Sequence, residues 1–383
     1  MDFKLTEEQQ MVKEMCRKFA ENELKPKAAE YDRSHDFPWE HVKKLAEMGM
    51  LGVVYPEEYN GSGMDYVSYA IAVEELSRGC ASTGVIVSAH NSLCLSPIYY
   101  FGSDAIKKKY LPKLCSGEWL GCFGLTEPSA GSDAAGTKTT AEFKNGKWVL
   151  NGTKNFITNG GVAHVAVVIA ITEKGVGHKG LTFFVVDKDM PGYSVGKVED
   201  KLGICASSTT ELVFENLEVP EENILAKKGE GFKVAMHTLD GGRVGIAAQA
   251  LGIAQAALDE AVKYSKEREQ FGKPISSNQA IQWMIADMAT EIEAARLLTY
   301  QAAMIVGSGD RRRGSKYAAM AKLFASETSH RVTHKAIQIF GGYGYVKEYP
   351  VERLYRDARI TEIYEGTSEI QRLVISSNVI NEY

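Results

Sequence analysis

Two periods of apolar residues run along this chain and divide it in three. From Thr6 onward Val12, Met15, Cys16 and Phe19 recur at helical spacing, and Thr6 with Gln9 has the form of a capping box. Residues 39–48, 66–78 and 106–114 read the same way, separated by turns such as YPEEYNGSG. From about residue 122 to 225 the texture is that of strands. Asn145-Gly146 lies between two alternating runs, a hairpin signal, and VAVVIAI, LTFFVV and TTELVFENLEVP are rich in β-branched residues. Beyond Gly229 the helical period returns: Ile281, Ile285, Met288, Ile292 and Ala295 share one face. Alanine-rich runs over 244–264 and 316–340 predict long, closely packed helices, as in a bundle. The expected domains are helical over 1–121, β over 122–228 and helical over 229–383. The basic run at 311–313, beside GSGD, reads as a solvated interhelical loop.

Composition narrows the class without naming it. A chain of 383 residues can hold two or three packed domains. A formal net charge of −5 gives no reason to expect nucleic acid. Six cysteines (16, 80, 94, 115, 122 and 205) lack CxxC pairing, and free thiols in a reducing compartment are expected. No apolar run is long enough for a membrane span, and MDFKLTEEQQMVKEM is acidic and amphipathic, unlike a targeting peptide. A cytoplasmic location is expected.

The chain has no GxGxxG after a strand, P-loop, HExxH or GxSxG, and its eight histidines show no metal-ligand spacing. His164, in a β run, reads as a packed or half-exposed strand residue. What remains are polar, glycine-rich clusters: FGLTEPSAGSD (123–133), NFITNGG (155–161), LDGGR (239–243) opening a helix, REQFG (268–272) ending one, QIFGGYGY (338–345) and IYEGTSEIQ (363–371). Each alone suits a structural turn. Together their donors, aromatics and arginines suit an anionic, aromatic cofactor. Glu365 itself admits two readings: a loop carboxylate beside a helix that Thr367 or Ser368 caps, or a base held at a site.

In this order the clusters resemble the acyl-CoA dehydrogenase family, over essentially the whole chain. HNSLCLSPIYYFG is most similar to its short-chain, butyryl-CoA branch. The resemblance implies an α+β multidomain fold with an N-terminal α-helical domain, a middle β-barrel and a C-terminal four-helix bundle. It also implies non-covalent FAD, a homotetramer, short-chain acyl-CoA as substrate and an electron-transferring flavoprotein as partner. By the resemblance, Phe123, Leu125 and Thr126 line or hydrogen-bond the flavin ring, and Ser132 meets both FAD and the CoA portion. Phe156 covers the flavin, with the Thr158 hydroxyl near N5. Arg268, Phe271, Gln279, Gln338, Gly341 and Gly342 match contacts to the diphosphate and adenosine half, largely across a dimer interface. Thr367 and Glu369 match further FAD contacts. Asp240 and Arg243 match the substrate-binding helix, and Glu365 matches the catalytic base, with Tyr364 drying its pocket and Gly366 leaving room for the acyl chain.

Two departures mark the branch. Gly242 stands where other branches carry their base. Gly84 stands where the glutaryl-CoA branch carries an arginine. Cys205 replaces a frequent arginine, and the sequence gives no account of it. An oxygen-using oxidase and a non-catalytic flavin-binding scaffold are the rival readings.

Overall fold

The computed structural model describes residues 4–382; the first three residues of the N-terminal segment and Tyr383 lie outside them. Helix α1 (Glu7–Phe19) starts on the expected capping box, with Gln9 N–H donating to the Thr6 hydroxyl at 3.2 Å and Thr6 N–H donating to the Gln9 side chain at 3.0 Å. It buries Val12, Cys16 and Phe19. Helices α1 and α2 (Lys25–Ser34) pack on α4 (Tyr66–Gly79), α3 (Trp39–Glu47) adds Val42 and Leu45 to the same core, and α4 and α5 (Ala81–Ala89) are buried almost all round. A π-helical turn at His90–Leu95 then re-aims the chain into α6 (Ser96–Phe101) and α7 (Asp104–Cys115). His90 fastens this turn to the next region. Gly121 N–H donates to His90 Nδ1 at 3.1 Å, so Nε2 carries the proton and donates to Leu114 O at 3.0 Å. Burial pushes its pKa down to about 4, which keeps the ring neutral.

The strands are β1 (Gly121–Gly124), β2 (Thr140–Lys144), β3 (Lys147–Thr158), β4 (Val165–Ile171), β5 (Leu181–Asp187), β6 (Tyr193–Val198), β7 (Thr209–Pro220) and β8 (Ile224–Leu225). They form one sheet in the order β6-β7-β3-β2-β4-β5-β8, with β1 added parallel to β4. The hairpin at Asn145-Gly146 is as expected, both residues having positive φ (52° and 78°) between paired Lys144 and Lys147. The barrel is not closed: among the described residues β6 and β8 do not pair. β8 is only two residues long before the chain leaves for the next helix. One face of β4 and β5 packs on α6 and α7 through Val167, Ile169, Phe183 and Val185.

A buried ion pair sets the loop after β1. Lys154 Nζ lies 2.6 Å from Glu127 Oε1, both side chains out of solvent, and Glu127 also accepts from Thr137 Oγ1 (2.5 Å), Lys138 N–H (2.5 Å) and Thr139 N–H (3.0 Å). Burial would raise this carboxyl, but Lys154 and the hydrogen bonds outweigh it and hold it down to about 2. Asn155 N–H donates to Thr126 O at 2.8 Å, so this polar loop is tied to the end of β3.

Helices α8 (Gly231–Glu267), α9 (Gln279–Gly307) and α10 (Arg311–Phe340) pack together, followed by α11 (Val351–Ile360) and α12 (Ser368–Ile380) against α10. Two expectations fail here. LDGGR does not open a helix; it lies well inside α8, because contact with α4 and α5 overrides the low helix propensity of glycine. The basic run at 311–313 is not a loop but the first turn of α10, capped by Asp310, whose carboxylate accepts from Arg313 N–H at 3.1 Å. No helix among the described residues is long and apolar enough to cross a membrane.

Replacing Lys154 with methionine strands a buried, multiply bonded carboxylate. Denaturant unfolding at neutral pH should show a loss of about 3–5 kcal/mol; a loss below about 0.5 kcal/mol, the scale of a surface substitution, would contradict this account of the loop.

Candidate active site

The stretch IYEGTSEIQ joins α11 to α12. Glu365 and Gly366 both have left-handed backbones (φ 52° and 91°), an uncommon conformation for a glutamate. Neighbouring groups hold it. Thr367 caps α12, and Ser368 N–H donates to Glu362 O at 3.0 Å. The buried Gln371 donates Nε2 to Glu365 O (3.2 Å) and Gly366 O (2.8 Å). Lys322 of α10 reaches across to Gly366 O at 2.7 Å. On the other side Tyr364 OH donates to Gln249 Oε1, and Gln249 donates to Ala81 O at 3.0 Å, which ties the loop to α8 and α5. Both sequence readings of Glu365 therefore describe the same place: a residue flanking a capped turn, with its side chain aimed inward.

That side chain meets α8 where the helix has no side chains. A Cβ placed on Gly242 would lie 2.0 Å from Glu365 Oε2 and 2.9 Å from Leu93 Cδ2. One turn on, a Cβ on Gly245 would lie 2.2 Å from Ser88 Oγ and 2.4 Å from Tyr69 OH. Tyr66, Tyr69, Ser88, Ser92 and Leu93 thus stand around the same face, with Tyr69 OH and Ser88 Oγ 3.0 Å apart. None of these five was singled out from the sequence for a site; only the quoted HNSLCLSP pointed at the last two. Glu365 Oε2 is buried and has no hydrogen-bond partner among the described residues. Burial raises this carboxyl to about 7, against the pull of Lys322 and Arg243. Arg243, itself buried, donates to Asp240 Oδ1 at 2.7 Å and leaves its Nε unpartnered. A buried carboxylate titrating near neutrality beside a cationic wall can take a proton from a weak carbon acid.

The other expected residues form two further groups. Phe123, Leu125, Thr126, Phe156 and Thr158 lie on the paired loops and strands around Lys154, though the Phe123 ring is taken up in the core, 5.2 Å from Phe183. Phe156 has φ 57° and is 61% exposed, and Ser132 is exposed on the loop beyond. Arg268, Gly341 and Gly342 line an open groove of about 820 Å³, with Arg268 stacked 5.5 Å from the Tyr343 ring centre. Phe271, 96% exposed, lies on the hairpin after Arg268, while Gln279 and Gln338 are exposed near the ends of α9 and α10 and do not line that groove. Glu369 is exposed in the first turn of α12. Lys322, Gln249 and Lys154 carried no local signal in the sequence, and Glu127 and Gln371, though inside the quoted clusters, were given no role there.

Gly84 and Cys205, the other two departures from the family pattern, also have physical settings. A Cβ on Gly84 would lie 2.0 Å from Ser77 Oγ, so no longer side chain fits there without displacing α4. Cys205 is buried beside Asp32 and Asp357, and Arg356 already supplies the cation there, 2.6 Å from Asp32 and 2.7 Å from Glu352.

Comparison with known proteins agrees over the full length. Models of the acyl-CoA dehydrogenase N-terminal, middle and C-terminal domains match residues 6–118, 122–217 and 229–380. The chain belongs to the acyl-CoA dehydrogenase family. It is 55% identical to a short-chain specific acyl-CoA dehydrogenase of Clostridium acetobutylicum, over 99% of this chain and 100% of that protein. Among solved structures it is similar to the butyryl-CoA dehydrogenase of Megasphaera elsdenii (48% identity, TM-score 0.96, 99% of this chain and 100% of that one). It is also similar to a chain in a structure described as the electron transferring flavoprotein of Acidaminococcus fermentans (54% identity, TM-score 0.97, 99% and 100% covered).

The raised carboxyl at Glu365 has a thermodynamic signature. Between about 4.5 and about 7 the folded chain holds a proton there that the unfolded chain has released. This site therefore removes stability as pH rises through that window. Glu365→Gln should melt higher than wild type at pH above 7, and the difference should vanish below 4.5. A variant that melts lower at alkaline pH would contradict the burial of an unpaired carboxylate.

Proposed function

We propose that this chain is an FAD-dependent short-chain acyl-CoA dehydrogenase that interconverts butyryl-CoA and crotonyl-CoA and exchanges electrons with an electron-transferring flavoprotein. The observation that carries this reading is the buried, unbonded Glu365 Oε2 facing the bare Gly242 edge of α8. The α proton of an acyl thioester is barely acidic in water. A carboxylate kept dry, with its pKa raised to about 7, is a stronger base than an exposed one and is still ionised near neutrality. The Glu365 N–H, which makes no hydrogen bond among the described residues, is a donor for the thioester oxygen as negative charge develops on it. Leu93 and the Tyr69–Ser88 pair stand along the bare edge of α8 beside Glu365 and, with Tyr364, would be the walls of a short acyl site. Asp240 and Arg243, paired on α8, serve the CoA thioester side.

The residues present fit FAD. The two loops around Phe156 and Thr158 offer an exposed aromatic and a hydroxyl. Gly131, Gly341 and Gly342 have open space where a Cβ would be, which allows close approach of a ligand to main chain. Arg268 beside the last two supplies a guanidinium fork for phosphate oxygens. Ser132, Gln279, Gln338, Phe271, Thr367 and Glu369 complete the proposed contacts, the exposed ones in concert with a neighbouring subunit of a homotetramer. Bound FAD supplies the acceptor for the β hydride. The finer architecture follows the family: a middle domain that approaches a barrel, a C-terminal four-helix bundle, and limits at 1–121, 122–228 and 229–383. A cytoplasmic location is part of the proposal.

Anaerobic mixing of the yellow holoprotein with butyryl-CoA should bleach the flavin. Peroxide formation in air would favour an oxidase, and no spectral change a non-catalytic scaffold. Glu365→Gln should retain FAD and bind butyryl-CoA yet lose bleaching by more than the roughly 10²–10⁴-fold of a positioned acid–base group. Near-normal bleaching would end the assignment of the base. Gly242→Glu in a Glu365→Gly background should recover part of the activity, since position 242 abuts the present carboxylate. Among butyryl-, hexanoyl-, octanoyl- and isovaleryl-CoA, kcat/KM should peak at butyryl-CoA; a peak at octanoyl- or isovaleryl-CoA would reject the chain-length reading.

A further inference from the structure

Lys322 is out of solvent, and among the described residues its ammonium makes one hydrogen bond, to Gly366 O at 2.7 Å, and no ion pair. A buried ammonium with two idle donors is a costly way to hold one carbonyl. Gln371 already donates to the same carbonyl at 2.8 Å, so the bond alone does not account for the charge. The charges around it do. Arg243 of α8 faces Glu365 too, but it is bound to Asp240 at 2.7 Å, which cancels much of its field. Glu327, on the same helix as Lys322, is paired with Arg372 at 2.6 Å, and Glu369 of α12 is exposed. Tyr69 of α4 and the adjoining Tyr364 face Glu365 as neutral phenols, their acidity suppressed by burial. Among the described residues, Lys322 is the cation near Glu365 that no carboxylate pairs with.

We propose that Lys322 is a positioning residue for the base, clamping the left-handed Glu365–Gly366 loop and supplying the uncancelled positive charge that lets Glu365 ionise inside a dry pocket. This rests on Glu365 being the base. Burial brings Lys322 down to about 7, while Glu365 rises to about 7. The two groups therefore favour each other's charged form: proton loss from Glu365 stabilises the ammonium, and the ammonium stabilises the carboxylate. Removing the lysine charge should raise the Glu365 pKa further, so the deprotonated, active form should appear only at higher pH.

The test compares wild type, Lys322→Met and Lys322→Gln holoenzymes in anaerobic flavin reduction by butyryl-CoA as a function of pH, with Glu365→Gln as the zero. Both Lys322 variants should move the acid limb upward by about one pH unit, the lower end of what one nearby charge does. They should be about tenfold slower below the limb and approach wild type at alkaline pH. A uniform loss of rate with the limb unmoved, or a lowered melting temperature without a pH shift, would make Lys322 merely structural and overturn the proposal. So would failure of both variants to fold. Wild type that butyryl-CoA does not bleach would instead locate the failure in the functional reading, and this inference would fall with it.

Discussion

A carboxylate oxygen held out of water without a hydrogen-bond donor is among the more expensive arrangements a folded chain can keep. Glu365 Oε2 is in that state, and much of the surrounding structure follows from keeping it there. The α8 backbone must come close with no Cβ in the way, hence Gly242. The loop must turn through left-handed conformations and still present a rigid side chain, hence the bonds from Gln371 and Lys322 to its carbonyls. The local cations must favour ionisation without quenching it by direct contact, hence an arginine already engaged with Asp240 and a lysine turned toward main chain. A direct salt bridge would lower the carboxyl's pKa and weaken it as a base.

The same constraint reaches through all three regions. Tyr364 ties the loop to Gln249, and Gln249 ties α8 to the start of α5. Helix α4, which carries Tyr66 and Tyr69, is fixed to α9 through Glu74, which accepts from Arg296 Nε at 3.0 Å and Tyr300 OH at 2.6 Å. His90 locks the π-helical turn bearing Ser92 and Leu93 to the first strand. Side chains that stand around one carboxylate are thus supported by bonds that span α4, α5, α8, α9 and β1. A loosened helix would move the pocket wall relative to that carboxylate, and sub-ångström placement matters to the proton transfer proposed for it.

What was legible in the sequence follows the range of the information needed. Element types were legible because period and caps are local: the Thr6 box, the Asn145-Gly146 turn and the Thr367 cap form as read. Closure of the barrel was not, because it depends on whether two distant strands pair. LDGGR misled because glycines usually interrupt helices; here Gly242 and Gly245 are helical because neighbouring elements fill the space their side chains would take. Glu365 was found through its motif and its resemblance to a family. Lys322, one lysine in an alanine-rich amphipathic helix, looks in sequence like any solvated residue. Only the packing of α10 against the loop reveals that it is buried and aimed. Glu127 and Lys154, 27 residues apart, become a pair only when the loop after β1 folds against β3.

The two halves of the proposed active centre differ in how complete one chain makes them. The acid–base half is finished: Glu365, Lys322, Arg243, Asp240 and their wall all come from the same chain and are packed. The groove at Arg268 is open, with Tyr345 87% exposed and Phe271 96% exposed nearby. Aromatic rings bared to this degree call for a cover, and α9 adds Trp283 and Met304 to the uncovered apolar surface. Under the proposed function, proton abstraction is then a property of the single subunit, whereas retention of the flavin's adenosine half depends on assembly. The physical reason is a difference in tolerance. A proton donor and acceptor must be placed within tenths of an ångström, which a single packed core achieves, while a diphosphate gripped by charge and stacking accommodates the looser fit of a subunit interface.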